Sequence, residues 1–303
     1  MSRKGKILLG VGLYLLIMIA LVVFVGSDGK NEEFQPQNEF KLEPWISIDI
    51  AGIDLSINKA VLYLFLAAAA TMATMVFIAR RMSSKPNRVQ MAIEVAYELT
   101  RNNIARGNLE SDRMLARWFP FLAALFFFIF FSNMIGYIPL PTNTEHPIDI
   151  FGLEVPAFAL YAATANLSIP LVLTLVVWIA YHVEGVRAKG FFPYLASWLP
   201  PGLENMNIFG KAFFFVIEAI SHFARLISLS VRLFANILAG HLLLLFMGGG
   251  LAVLLGIAAL GLITFPLAFA FFLLEVGLIA TLQAFIFSTL TAIYLGGATA
   301  ESH

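Results

Sequence analysis

The chain has 303 residues, 60% of them hydrophobic and 13% charged, and its 19 basic and 19 acidic residues balance to a formal net charge of zero. Apolar runs of about 20 residues, enough to cross a bilayer, recur along it; this marks a membrane protein and leaves no basic surface for a nucleic-acid partner. There is no cysteine, which excludes a disulfide, a thiolate nucleophile and any thiolate-held metal cluster.

Residues 1–26 begin MSRKGK and run into an apolar stretch ending at Gly26. Basic residues ahead of an apolar run read as a signal-anchor helix or as a cleaved signal peptide. The stretch is longer than a usual signal core, which favours a retained helix with its N-terminus in the cytoplasm. Residues 27–58 are polar and mixed and are expected outside. A second span is expected over 59–79, closed by Arg80, Arg81, Lys85 and Arg88, a basic cluster that marks the cytoplasmic side. Over 87–116, apolar Val89, Ile93 and Tyr97 alternate with Arg88, Glu94, Glu98 and Arg101 at helical spacing. That pattern predicts an amphipathic helix lying at the interface, or one that binds a partner; the two are compatible.

Residues 118–139 form the third expected span, followed by an acidic loop without Lys or Arg, and residues 157–181 form the fourth. Arg187 and Lys189 mark the cytoplasm again, and 190–208, with Phe191, Trp198 and two prolines, reads as an interfacial turn with aromatic anchors. Two apolar segments follow, 209–247 and 251–296, separated by Gly248, Gly249 and Gly250 as a hairpin tip. Each is far longer than a straight crossing requires, so each must tilt, bend or protrude. The expectation is an all-α membrane protein of about six spans, with both termini inside: a 1–26 anchor helix, an external 27–58 segment and a 59–303 membrane domain. No internal repeat is visible, which weighs against an inverted-repeat transporter.

The functional signal lies in EAISHFARLISLSVRLFANILAGH, residues 218–241. At 100° per residue, Glu218, Ser221, Arg225, Ser228 and Asn236 fall within about 40° of Arg232, while the other faces are apolar. An arginine at bilayer depth costs roughly 2.5–3.5 kcal/mol on insertion scales, so it needs a use. A buried pair with Glu218 or Glu275 would be a structural use. Facing a partner would be a functional one. Arg225 and Glu218 lie near the cytoplasmic side, where an interfacial role competes evenly with a functional one. His241, nine residues past Arg232, points to the opposite face, either as a hydrogen-bonded packing residue or as a water-accessible proton site. In the last segment Glu275 must be protonated, paired or wetted at its depth. Gln283 is placed to bridge helices by hydrogen bonding. The sequence holds no nucleophile–base constellation, phosphate loop or paired metal ligands, and calls for no cofactor; a catalyst in its own right is not expected.

With those residues in view, the chain resembles subunit a of the F-type ATP synthase. SLSVRLFANILAGH at 228–241 resembles that family's signature around its arginine, and LQAFIFSTLTAIYL at 282–295 resembles its C-terminal helix. PNRVQMAIEVAYELTRNNI, NMIGYIPLP and TANLSIP support the likeness, which extends from about Trp45 to the C-terminus. The resemblance implies a stator subunit beside a ring of rotor c subunits and b-type subunits of a peripheral stalk, and the basic N-terminus favours a bacterial plasma membrane over an organelle membrane of bacterial ancestry. Protons would pass through two offset half-channels. It implies that Arg232 faces the ring with Asn236 and Gln283 as polar neighbours. His241 and Glu275 would then lie on the outer proton path and Glu218 on the cytoplasmic side. One departure stands out. The family pattern sets the acidic residue seven before the glutamine, whereas Glu275 is eight before Gln283; the extra residue turns it by about 100° unless a bulge restores the phase. The competing classes are a stand-alone transporter or channel, whose polar stripe would line its own pore, and a purely structural scaffold.

Overall fold

The computed structural model describes residues 40–300 apart from 51–52, 81, 84, 110, 151–152, 200–206 and 257, together with scattered residues between 5 and 20. Those scattered residues are helical; the rest of the expected 1–26 anchor, the first part of the 27–58 segment (27–39) and the last three residues lie outside the described part.

Among the described residues the chain is a bundle of apolar helices with two small antiparallel hairpins. Strands β1 (Asp49–Ile50) and β2 (Ile53–Asp54) form the first hairpin. Helix α1 (Lys59–Arg80) then crosses the bundle. Helix α2 (Arg88–Glu98) starts where the Asn87 side chain accepts from the Gln90 amide at 2.8 Å, and it continues as a π-helix, Leu99–Arg106. The expected amphipathic segment therefore ends about ten residues early. Ser111 caps a new helix there, α3 (Asp112–Gly136), by accepting from the Met114 amide.

Beyond α3 the acidic loop is a β-hairpin, β3 (Leu140–Ile150) with β4 (Leu153–Ala159), and a 3₁₀ turn at Ala163–Ala165 precedes α4 (Ser168–Lys189). The fourth span therefore begins near 168, a correction to the expected 157–181. Within that stretch residues 161–165 are buried while Phe158, Leu160 and Leu167 are exposed, and Arg187 and Lys189 belong to the last turn of α4. Short helix α5 (Phe191–Ala196) leads to the 38-residue α6 (Ile208–Leu245).

The reversal after α6 takes two glycines. A π-helical Phe246–Gly250 kinks at Gly249 (φ 152°), α7 (Leu251–Leu255) follows, and Gly256 (φ 70°) turns the chain into α8 (Ala258–Leu274). Both φ values favour glycine. The hairpin tip is thus 249–256 rather than the three glycines alone. The return helix is α8, a π-helical Glu275–Ile279, and α9 (Ala280–Thr299).

Five helices among the described residues are long and apolar enough to span a membrane: Lys59–Arg80, Asp112–Gly136, Ser168–Lys189, Ile208–Val253 and Thr264–Thr299. Their ends define two poles. Arg117 on α3 pairs with Glu184 on α4 at 2.8 Å, so the start of one meets the end of the other. Arg80, Arg113, Arg187, Lys189 and Lys211 all belong to that basic pole. At the far pole the Tyr63 hydroxyl reaches the Ile138 and Ala159 carbonyls. The core between them is built from Leu122, Phe126, Ile129, Val177, Leu229, Leu233, Ile237 and Phe287, all at most 2% exposed.

Candidate functional site

Helix α6 carries the candidate site because its two faces have different company. Leu229, Leu233, Ile237 and Leu244 repeat at helical spacing and are buried against the bundle. The other face, with Ala224, Ser228, Arg232, Ala235, Asn236 and Ala239, is exposed. Among the described residues no hydrogen bond or ion pair reaches Arg232. Both partners that a packing role would have used are engaged elsewhere. Glu218 Oε1 lies 3.3 Å from Arg225 and 3.7 Å from His222, and Glu275 accepts from Tyr137. The guanidinium therefore faces outward, near mid-helix, without a mate among the described residues.

The polar stripe expected from sequence is divided. Ser228, Arg232 and Asn236 stay exposed, whereas Glu218, Ser221 and Arg225 are half-buried. Arg225 lies over the Tyr294 ring at 5.7 Å, so α9 draws it sideways. Beside it is a cavity of about 540 Å³ at the basic pole, lined by Glu218, His222, Arg225, Tyr181, Tyr194 and Trp198 among others.

At the far pole three buried polar residues come together. His241 is 4% exposed; its Nδ1 is 3.0 Å from the Ile237 carbonyl and its Nε2 3.2 Å from the Gly136 carbonyl. A neutral imidazole has one N–H, so it can donate to only one of these oxygens, whereas the protonated ring donates to both. The Tyr137 ring stacks on His241 (4.7 Å between centroids, 28° between planes), and its hydroxyl donates to Glu275 Oε2 at 2.9 Å. Gly240 makes the meeting possible: a Cβ there would lie 2.5–2.6 Å from the Glu275 carboxyl atoms. A separate cavity of about 400 Å³ opens on His241 and is bordered by Phe158, Leu160 and the glycines of the hairpin tip.

The spacing anomaly of Glu275 has a structural answer. Residues Glu275–Ile279 are π-helical, and a π-turn takes in one extra residue. Eight residues containing that bulge turn through nearly the angle of seven in an α-helix, which aims the carboxyl at Gly240 and Tyr137. Gln283, 5% exposed, is packed inside the bundle rather than set on the exposed face with Arg232 and Asn236. The structure thus brings Glu275 to His241 at one pole, Glu218 to Arg225 at the other, and leaves Arg232 and Asn236 between them.

Tyr137, Tyr181, His182 and Tyr194 were not singled out from sequence. They come from three places in the fold, the end of α3, α4 (Tyr181 and His182) and α5, and are tied to the clusters only by folding; Tyr137 alone carried a hint, inside NMIGYIPLP. Nearby, the Thr164 hydroxyl donates to Asn133 Oδ1 at 2.8 Å, fixing α3 to the 3₁₀ turn. Among the described residues no group of three or more His, Asp or Glu side chains is placed to hold a metal ion.

Comparison with known proteins agrees with this arrangement. The family model for the ATP synthase A chain matches residues 61–296. The chain belongs to the ATP synthase subunit a family. ATP synthase subunit a of Rubrobacter xylanophilus is 33% identical over 254 residues, covering 84% of this chain and 88% of that protein. The Beijerinckia indica subunit is 32% identical over 276 residues, 89% of this chain and 98% of its own length. The Campylobacter hominis subunit is 36% identical over 244 residues, 80% and 90% respectively. With its five apolar helices, this subunit a homologue is an integral membrane protein.

Proposed function

We propose that the chain is the membrane stator of a rotary F-type ATP synthase, set against a ring of c subunits and held by b-type subunits of the peripheral stalk. By itself it performs no catalysis. It carries protons to and from ring carboxylates through two offset half-channels. The observation that carries this reading is the position of Arg232: exposed, without a partner among the described residues, and between two separate cavities. The cavities end at Arg225 and at His241. These residues lie seven before and nine after Arg232, about 24 Å apart on a helix rising 1.5 Å per residue.

The chemistry follows from the low dielectric. A ring carboxyl facing lipid is neutral because charge there is costly. Opposite Arg232 it gains a positive partner, which favours the carboxylate and releases a proton toward the basic pole. Past Arg232 it is reprotonated from the far pole, where His241, Tyr137 and Glu275 meet a cavity. The fixed charge of Arg232 repels a proton moving directly from one cavity to the other. Each proton crossing 100 mV supplies about 2.3 kcal/mol, so several must be summed to drive ATP formation. We place the protein in a bacterial plasma membrane, the relatives named above being bacterial. A stand-alone channel would turn its arginine into its own pore, which the exposed Arg232 face does not support.

Arg232→Ala should abolish ATP-driven proton pumping in membrane vesicles while the complex still assembles. Pumping at the wild-type rate would remove Arg232 from the centre of the mechanism.

A further inference from the structure

The proton route above leaves one buried ring at the basic pole without a task. His222 sits one helical turn after Glu218 and is 7% exposed. Its Nδ1 lies 3.0 Å from the Tyr181 hydroxyl on α4, and its Nε2 lies 3.7 Å from Glu218 Oε1. The ring is packed by Trp198 at 4.5 Å and, edge-on, by His182 at 4.9 Å. The charged and titratable groups around it are Glu218 and Arg225 on its own helix, Tyr181, His182 and Lys189 from α4, Tyr194 from α5 and Tyr294 from α9. Tyr194 continues the chain of polar groups, its hydroxyl 3.3 Å from His182 Nδ1.

Packing alone does not call for an imidazole here. A phenyl ring would fill the slot between Trp198 and Tyr181 without desolvating two ring nitrogens. What the imidazole adds is a nitrogen facing a carboxylate and another facing a hydroxyl that can donate or accept. The site also borders a cavity of about 540 Å³, roomy enough for water. The 3.7 Å separation is within a small side-chain adjustment, or one water, of a transfer distance.

We propose that His222 is a second proton-transfer group of the basic-pole cavity, exchanging a proton with Glu218 while Tyr181 holds the ring in register. The inference rests on the stator reading. In the exchange, the Nε2–H proton of an imidazolium passes to Glu218 Oε1. Imidazolium and carboxylate become neutral imidazole and carboxylic acid, and total charge is unchanged. Two proton-carrying groups, a carboxylate and an imidazole, then serve one cavity. Proton exchange with the basic side therefore does not depend on Glu218 alone.

The test uses the intact synthase in inverted membrane vesicles, where the basic pole meets the buffer. ATP-driven pumping is divided by ATP hydrolysis in the same vesicles, so that loss of assembled enzyme cancels. His222→Phe keeps the packing and His222→Gln keeps hydrogen bonding; both should lower the ratio several-fold. Tyr181→Phe, which deletes a single hydroxyl, should lower it less, and it carries the test should either His222 variant fail to assemble. A wild-type ratio in the assembled variants would overturn the inference. Arg232→Ala in the same vesicles separates the two layers. If it pumps, the stator reading fails; if it does not pump while the His222 variants behave as wild type, only the role of His222 fails.

Discussion

The two ends of α6 solve the problem of polar groups in an apolar bundle differently. At the basic pole Glu218, His222 and Arg225 share an aromatic-lined cavity with Tyr181, Tyr194 and Trp198, and the ion pair there is half-exposed at 33% and 36%. At the far pole His241 and Glu275 are 4% and 5% exposed, and among the described residues their close polar partners are backbone carbonyls and one tyrosine. The first arrangement is roomy, its polar groups spread around a cavity of about 540 Å³. The second is narrow, and it depends on a missing Cβ and a helical bulge. Substitutions of similar size should therefore be far more damaging at the far pole.

The largest effect should come from Gly240→Val. Its side chain would occupy the place of the Glu275 carboxyl, 2.5–2.6 Å from where the first added carbon falls. Proton flux should be lost even where subunit levels hold, and Glu275→Ala in the same chain should restore packing but not flux. Wild-type flux in Gly240→Val would mean that the carboxyl need not stand where it does.

A deletion pair sharpens the claim about the bulge. Removing Gly277 converts the π-helical Glu275–Ile279 to regular helix, keeps the phase of Glu275 to the bundle, and should leave much of the flux. Removing Leu282 instead keeps the bulge and rotates Glu275 by about 100° relative to α9; flux should vanish. Equal flux in the two deletions would show that the bulge does not set the phase.

Tyr137→Phe is the milder change, since the ring stack on His241 survives and only the 2.9 Å hydrogen bond to Glu275 is lost. A hydrogen bond contributes about 0.5–1.5 kcal/mol, so proton flux should fall by roughly two- to tenfold while assembly is kept. Tyr137→Leu should be worse than Tyr137→Phe; equal losses would deny the stack any part.

Much of this contrast was legible in the sequence, and the missing part has physical reasons. Arg232 was visible because a charge inside an apolar run is rare and its neighbours recur at helical spacing. The long hairpin was visible from the length of its two segments. The start of the fourth span was misplaced because hydrophobicity reports depth and not conformation. Phe158, Leu160 and Tyr161 are apolar, yet Phe158 lies in a strand, Leu160 follows it exposed, and Tyr161 packs edge-on against Tyr63. The bulge at Glu275 left a trace in the spacing to Gln283, but only coordinates distinguish a bulge from a rotated carboxyl. Gln283 looked like a natural neighbour for Arg232 on family resemblance. Helical phase places it instead among Ala280, Ala284 and Phe287 on the packed face. The clusters around His222 and Tyr137 were invisible because their members meet only across α3, α4, α5, α6 and the return helix.

The central claim is that Arg232 presents its charge to another subunit. Because the chain has no cysteine, Asn236→Cys introduces a single thiol one turn from Arg232 on the exposed face, and a short thiol-attached photo-crosslinker can report what lies there. The account predicts capture of a small ring subunit by Asn236→Cys and none by the buried control Leu233→Cys. Capture confined to this chain's own helices, with the ring present and the complex active, would contradict it.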